Sequence, residues 1–231
     1  VAGDTIPITV EFESNDDLFD LLLLTDAIRR YYQRKVNITL RMDYLPYARQ
    51  DRVCSKGESL SVKVVADLIN SQNYCQVICR DIHSEVGVAL INNLRHETML
   101  NHAALLDKEA ILVSPDAGAN KKVFEFAKLH GYKRVVRADK VRDVSTGEIL
   151  STQVFSEHVG NADFLMLDDI CDGGRTFIEL ARELRKLTTG KIFLYVTHGI
   201  FSKGGDVFDG FIDQIYTSNL MGEPHPLIKE V

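Results

Sequence analysis

The sequence has no long apolar run. Runs such as Leu21–Leu24 are far too short to cross a bilayer, which takes about 20 residues as a helix. Nor has it a long basic run, and its net charge is −6. Nucleic-acid binding needs a cationic surface, so the expected partners are small molecules, with no nucleic acid and no membrane. Local basic residues can still hold a nucleotide. Cysteine is sparse and scattered: Cys54, Cys75, Cys79 and Cys171 form no paired framework. Cys75 and Cys79 would share one side of a strand, but a zinc site needs two further ligands beside them. The expectation is of buried thiols in a reducing cytosol, with Cys171 packed behind a loop. No secretory leader pattern is visible, so a cytoplasmic protein is expected.

What is present is ordinary in bulk. Hydrophobic residues make up 45% and charged residues 26% of 231 positions, enough for one large domain or two small ones with a real core. Apolar runs of strand length alternate with helical patterns throughout. Strands are expected at Ile6–Val10, Val36–Met42, Cys75–Cys79, Ala110–Ser114, Lys133–Ala138, Phe164–Asp169, Lys191–Val196 and Ile212–Tyr216. Helices are expected at Asn15–Lys35, Ser59–Gln72 and Ala119–His130, and after Thr176. The first is capped by Ser14 or Asn15 and has Leu18, Leu21, Leu22, Thr25, Ile28 and Arg29 on its inner stripe. The tail Met221–Val231 is assigned no element. This alternation predicts an α/β chain of mostly parallel sheets flanked by helices. It divides into two βαβ-like halves, residues 1–102 and 103–231.

One stretch organises the second half. Phe164–Leu167 is apolar and runs into Asp168 and Asp169; Asp172, Gly173, Gly174, Arg175 and Thr176 form a short turn; Phe177, Leu180, Ala181 and Leu184 then recur at helical spacing. This is strand, tight loop, helix. Glycines let backbone N–H groups approach an anion, and a helix N-terminus favours negative charge. Thr176 adds a hydroxyl and Arg175 a guanidinium fork. Carboxylates repel phosphate but accept two hydrogen bonds from a sugar diol, so an acid pair beside a phosphate loop suggests a ribose phosphate. The loop lacks the lysine of the common nucleotide P-loop. The alternative is an acidic strand end with Asp172 as the helix cap.

Other loops carry candidates. Asp43–Arg52 (DYLPYARQDR) offers Arg49, Gln50 and Arg52 to a polyphosphate, with Tyr44 and Tyr47 either stacking on a base or covering the core. Asp81 and His83 end a strand; His83 either faces phosphate oxygens and a metal or bonds to backbone. SPDAG places Asp116 at a second strand–acid–glycine–helix junction. Lys140 and Arg142 sit at the base of a polar stretch whose Ser145-Thr146-Gly147 is a hairpin signal, a candidate flap over an anionic substrate. The other histidines show no ligand spacing; His198 ends a strand.

Taken together, YARQDR, DIHSE, SPDAG, DK-x-R, DDICDGGRT and THGIFS resemble, in order and over almost the whole chain, the ribose-phosphate pyrophosphokinase (PRPP synthetase) family, whose fold is two phosphoribosyltransferase-like domains. The resemblance implies that Arg49, Gln50 and Arg52 hold ATP. Asp81 and His83 would sit at metal and phosphates, and Asp116 would coordinate Mg2+ near the sugar. Lys140 and Arg142 would stabilise the transition state. Asp168 and Asp169 would hold the ribose hydroxyls, and Asp172 to Thr176 the 5-phosphate. It also implies a homodimer or larger homo-oligomer. The acidic–aromatic stretch that precedes this region in the family, and a clear final helix, are missing, so the chain is expected to be truncated at its start. Gly173 and Arg175 depart from the usual Asp-Thr-Gly-Gly-Thr loop. An extra guanidinium suits a longer anion, so ADP-ribose stands beside ribose 5-phosphate as acceptor. A non-catalytic regulatory relative and a phosphoribosyltransferase are the rival readings.

Overall fold

The computed structural model describes residues 5–32, 36–99, 108–142 and 149–231, with the side chains of 140–142 and 149–151 excepted. The chain divides into two compact units, Val1–Thr98 and Met99–Val231. The division expected after residue 102 falls at positions outside the described residues.

In the first unit four parallel strands lie in chain order: β1 (Thr5–Val10), β2 (Asn37–Met42), β3 (Gln76–Arg80) and β4 (Leu94–Glu97). Helices α1 (Asp16–Tyr32), α2 (Ser61–Ser71) and the short α3 (Glu85–Leu90) connect them. Ile38, Leu40, Met42, Val77 and Cys79 pack with Leu21 of α1 and Val62, Val65, Ala66 and Ile69 of α2 in one core. The alternate residues Thr39, Arg41, Ile78 and Arg80 are only half-buried, as the two-residue period of a strand requires. Thr25 is buried in the inner stripe of α1 because its hydroxyl bonds to that of Tyr74 (2.7 Å). At the start of α1 the Ser14 Oγ accepts the Asp16 N–H (3.2 Å), and Asp17 Oδ2 reaches back to the N–H groups of Ser14 (2.6 Å) and Glu13 (2.9 Å). These contacts satisfy donors that the helix leaves over.

Two expectations about cysteine need correction. Cys75 precedes β3 and is exposed while Cys79 is buried, so they do not share an environment; Cys54 is exposed as well. Only Cys79 and Cys171 are buried thiols. Burial pushes the Cys79 thiol far above its ordinary pKa, which keeps it protonated and inert.

The second unit is a seven-stranded sheet in the order β11-β10-β9-β8-β5-β6-β7. Its strands are β5 (Ile111–Ser114), β6 (Val135–Arg142), β7 (Ile149–Val154), β8 (Phe164–Cys171), β9 (Ile192–Gly199), β10 (Gln214–Leu220) and β11 (Ile228–Glu230). Among the described residues only the β6–β7 pairing is antiparallel, with an irregularity between Val141 and Arg142; the turn expected at Ser145-Thr146-Gly147 lies outside the described residues. Helix α4 (Asn120–His130) follows β5, and α5 (Arg175–Arg185) follows β8. They cover opposite faces. Ile111, Val113, Phe164, Met166, Leu194 and Val196 pack with Phe177, Leu180 and Leu184 of α5. The alternate residues Leu112, Leu165, Leu167 and Tyr195 pack with Val123 and Phe126 of α4. A strand buried on both faces must be apolar at every position, which is why Phe164–Leu167 reads as a continuous run. Each such side chain contributes about 1.5–3 kcal/mol on burial. Three short elements, α3, β4 and β11, went unpredicted.

Candidate active site

Strand β8 is the middle strand of its sheet, and the site grows from its carboxyl end. From β5 the chain crosses by α4 to β6 on one side; from β8 it crosses by α5 to β9 on the other. The boundary between β5 and β8 is therefore the point where strand connections diverge, the place where open α/β sheets leave a crevice for ligands. β5 stops at Ser114 while β8 runs on to Cys171. Asp116 lies just past the first strand, and Asp168 and Asp169 lie on the second.

Each acid is held differently. Asp116 Oδ1 accepts the Ala119 N–H (3.1 Å), and its carbonyl oxygen accepts the Ser114 hydroxyl (3.0 Å). A carboxylate thus shapes the turn into α4. Asp169 is buried, with Lys122 Nζ of α4 at 3.9 Å. Asp168 Oδ1 accepts the Asp169 N–H at 3.0 Å. Burial is the largest cause that pushes the Asp168 carboxyl well above its ordinary pKa, followed by the charges of Asp169 and Asp116. The backbone N–H opposes the shift without cancelling it. The three carboxyls are thus electrostatic neighbours at the carboxyl ends of two adjacent strands.

The loop beyond is built for close approach. Gly174, not Asp172, is the residue at the helix N-cap, and its φ is +77°. A Cβ there would stand 2.4 Å from Cζ of Phe208, so only glycine fits. Phe208 belongs to a single 3-10 turn, Asp206–Phe208. The Gly174 carbonyl accepts the N–H groups of Phe177 and Ile178, both at 3.0 Å. Helix α5 then starts at Arg175, and the leading N–H groups of a helix have no acceptor within it. Thr176 is half-buried in that first turn. Arg175 Nε donates to Glu179 one helical turn on (2.7 Å), on the solvent side of the helix. Sequence reasoning missed Lys203, whose side chain lies along Gly173; a lysine followed by two glycines was the available signal. Cys171 is buried behind the loop, as expected, and its carbonyl accepts the Ile200 and Phe201 N–H groups (2.9 and 3.2 Å).

In the first unit the two nucleotide-loop candidates adjoin. Leu45, Pro46 and Ala48 are buried and anchor the loop after β2, leaving Arg49, Gln50 and Arg52 exposed. Tyr47 has φ 60° and donates its hydroxyl to Asn15 Oδ1 (2.9 Å). The Gln50 carbonyl accepts the Val62 N–H of α2 (3.4 Å). Partial burial pushes the Asp51 carboxyl up, but hydrogen bonds to Arg52 and Ser84 more than offset it and hold the group below the ordinary range. Asp51 thereby ties the YARQDR loop to the DIHS loop. Ser84 in turn caps α3 by accepting the Gly87 N–H (3.3 Å). Asp81 is buried in a left-handed conformation (φ 39°) and donates its N–H to the Glu97 carbonyl (2.6 Å); His83, two residues on, is exposed. His96, assigned no chemistry from sequence, accepts the Ile82 N–H at Nε2 (2.9 Å) and fixes the same turn. Below it Arg41 joins Asp43 (2.9 Å) and Glu97 (3.1 Å), and Arg80 joins Asp43 (3.2 Å), a charged brace across β2, β3 and β4. Lys140 and Arg142 lie on β6, opposite Thr152 and Ile149 of β7; their side chains are outside the described residues.

Residues 5–72 match the model of the N-terminal domain of ribose phosphate pyrophosphokinase. The ribose-phosphate pyrophosphokinase of Pyrococcus furiosus is 31% identical over 231 residues, covering 96% of this chain and 80% of the relative. This chain belongs to the ribose-phosphate pyrophosphokinase family. The Rhizobium meliloti protein of that name is 32% identical over 216 residues, covering 88% of this chain and 67% of its own. The chain spans 65% of the length of the Mycoplasmopsis pulmonis relative, at 28% identity. The crystal structure of phosphoribosylpyrophosphate synthetase from Mycobacterium smegmatis superposes with a TM-score of 0.80 at 20% identity, over 99% of this chain and 78% of that one. The fold of two phosphoribosyltransferase-like domains, expected from the sequence, is therefore the fold of this protein.

Proposed function

We propose that this protein transfers the β,γ-diphosphate of ATP to the 1-hydroxyl of ribose 5-phosphate, giving 5-phosphoribosyl 1-diphosphate and AMP. The observation that supports this most is the convergence of Asp116, Asp168 and Asp169 about the β5–β8 divergence, directly before a glycine loop at a helix N-terminus. Asp168 and Asp169 accept the sugar's hydroxyl donors. Those bonds favour the ionised carboxyl, so the diol offsets the repulsion that raises the Asp168 pKa. The backbone of Asp172 to Gly174, with Arg175 and Thr176, receives the 5-phosphate.

On the nucleotide side, Arg49, Gln50 and Arg52 are presented to solvent for ATP, and the buried Asp81 holds the turn that presents His83. The carboxyl-rich donor set at Asp116 fits Mg2+, a hard cation that prefers oxygen ligands; in the first unit Asp81 and His83 are assigned to metal and phosphates of the nucleotide. Bound there, Mg2+ supplies neutralisation of phosphate charge. Lys140 and Arg142, on the hairpin strand β6, are assigned to the charge that develops as the sugar oxygen bonds to the β-phosphorus and the bond to the AMP oxygen breaks. A homodimer or larger assembly, checked by light scattering, completes the reading.

The test uses the full-length protein with Mg-ATP and either ribose 5-phosphate or ADP-ribose, followed by phosphorus NMR. AMP and a new 1-diphosphate with ribose 5-phosphate is the expected result. Product with ADP-ribose alone would transfer the same chemistry to the longer acceptor. AMP with neither acceptor would overturn the enzymatic reading in favour of a regulatory relative.

A further inference from the structure

The turn after β9 places a second cation at the glycine loop. Ile200 and Phe201 are bonded to the Cys171 carbonyl at the end of β8, so this turn and the loop at 172–174 leave from one point. Phe201 takes a left-handed conformation (φ 44°), Gly204 another (φ 75°), and the Gly204 N–H closes the turn on the Phe201 carbonyl (2.8 Å). The Phe201 ring packs edge-on to that of Phe208, 5.8 Å between centroids, and Phe208 is the ring that fills the space beneath Gly174. One aromatic floor therefore supports both the anion loop and the turn that carries Lys203.

From that turn the Lys203 side chain runs along Gly173. Measured from the point where a Cβ would stand on Gly173, its Cγ, Cδ and Cε lie at 3.8, 3.6 and 3.4 Å. The stem closes on the loop toward its charged end. Packing the stem against backbone lowers the entropy lost when the ammonium is held in place. No carboxylate partners Lys203 among the described residues, whereas Arg175 is paired with Glu179 and Lys122 lies by Asp169.

We infer that Lys203 is a specificity-determining residue for the acceptor: its ammonium binds the acceptor's phosphate over Gly173, opposite the N-terminus of α5. This rests on the reading of Asp172–Thr176 as the phosphate loop. A terminal sugar phosphate carries a charge near −1.5 to −2 at neutral pH, more than the dipole of one helix end matches. The ammonium supplies the rest, and a sugar without phosphate gains nothing from it.

The test is calorimetric binding of ribose 5-phosphate, ADP-ribose, unphosphorylated ribose and ATP to the full-length protein and to its Lys203→Met and Lys203→Arg variants. Met keeps the stem and drops the charge. It is expected to weaken ribose 5-phosphate binding by roughly 10- to 100-fold, the scale of one charge-assisted hydrogen bond, with ATP affinity kept and Arg restoring most of the loss. The same loss with ADP-ribose instead would support the assignment with a different phosphate source. Unchanged binding of both acceptors in Lys203→Met would overturn the role of Lys203 and leave the loop reading standing. A wild-type protein that binds ribose 5-phosphate and ADP-ribose no better than ribose would overturn both. An equal loss for ATP would also count against the assignment, because a general disturbance is not acceptor recognition.

Discussion

The edge of Phe208 occupies the position a side chain would take on Gly174, 2.4 Å from the ideal Cβ. The two residues lie on separate connections of the sheet, one opening α5 and one following β9. Gly174→Ala faces two costs: left-handed backbone, about 1–2 kcal/mol, and overpacking, about 1–3 kcal/mol. We expect a loss of about 2–5 kcal/mol in urea unfolding. Adding Phe208→Leu should restore part of the steric share while the backbone share remains. A Gly174→Ala protein as stable as the wild type would contradict the packing described.

The Asp168 carboxyl has its pKa raised in the folded state by burial and by Asp169 and Asp116. The folded protein then holds this proton more tightly than the unfolded chain. Stability must fall as pH rises from the unfolded value, 3.8, toward the raised folded one. Asp168→Asn is expected to raise the melting temperature at neutral pH in the absence of ligand, by roughly 2–4 °C per kcal/mol recovered, and to flatten that decline. It should also weaken acceptor binding. A variant that melts lower than the wild type at pH 7 and tracks its pH profile would refute the charge repulsion.

Asp51 has the opposite sign. Its folded pKa is lowered by Arg52 and Ser84 despite partial burial. Its contribution is therefore present above the unfolded value of 3.8 and lost as pH falls through the lower folded one. Asp51→Ala should remove that acid dependence. It should also raise the KM for ATP by roughly 5- to 30-fold, the range of one or two kcal/mol, because the loop bearing Arg49 and Arg52 loses its tie to Ser84. Steady-state kinetics with fixed ribose 5-phosphate measures this; an unchanged KM would show the tie to be irrelevant to the nucleotide.

Lys140→Ala is expected to lower turnover at least ~100-fold, the scale of removing one preorganised charge donor, with little change in ribose 5-phosphate affinity. Rapid-quench measurement of AMP formation separates the chemical step from binding. Near-normal turnover would remove Lys140 from the transition state.

Much of this protein is decided within short stretches. The four positions Phe177, Leu180, Ala181 and Leu184, expected on one helical face, are all buried in α5, because the 3.6-residue period leaves that stripe no other place to go. The acid–glycine–helix junctions at Asp116 and Asp168 were legible for the same reason: they are local. Elements α3, β4 and β11 were not, since three to six residues carry too little periodicity to register. The alternative of Asp172 as helix cap failed because the cap is Gly174, where a positive φ and a contact with Phe208, distant in sequence, leave no room for a side chain.

The sequence by itself determined the chemistry available, namely which carboxyls, cations and glycines stand at strand ends. The tertiary structure decided which of them meet. Asp116 and Asp168 are 52 positions apart and become electrostatic neighbours only because β8 pairs with β5. Lys203 reaches Gly173 only because the turn after β9 is bonded to the end of β8. Strand order is a global packing choice, made by burying both faces of one sheet at once, and no single stretch of residues contains it.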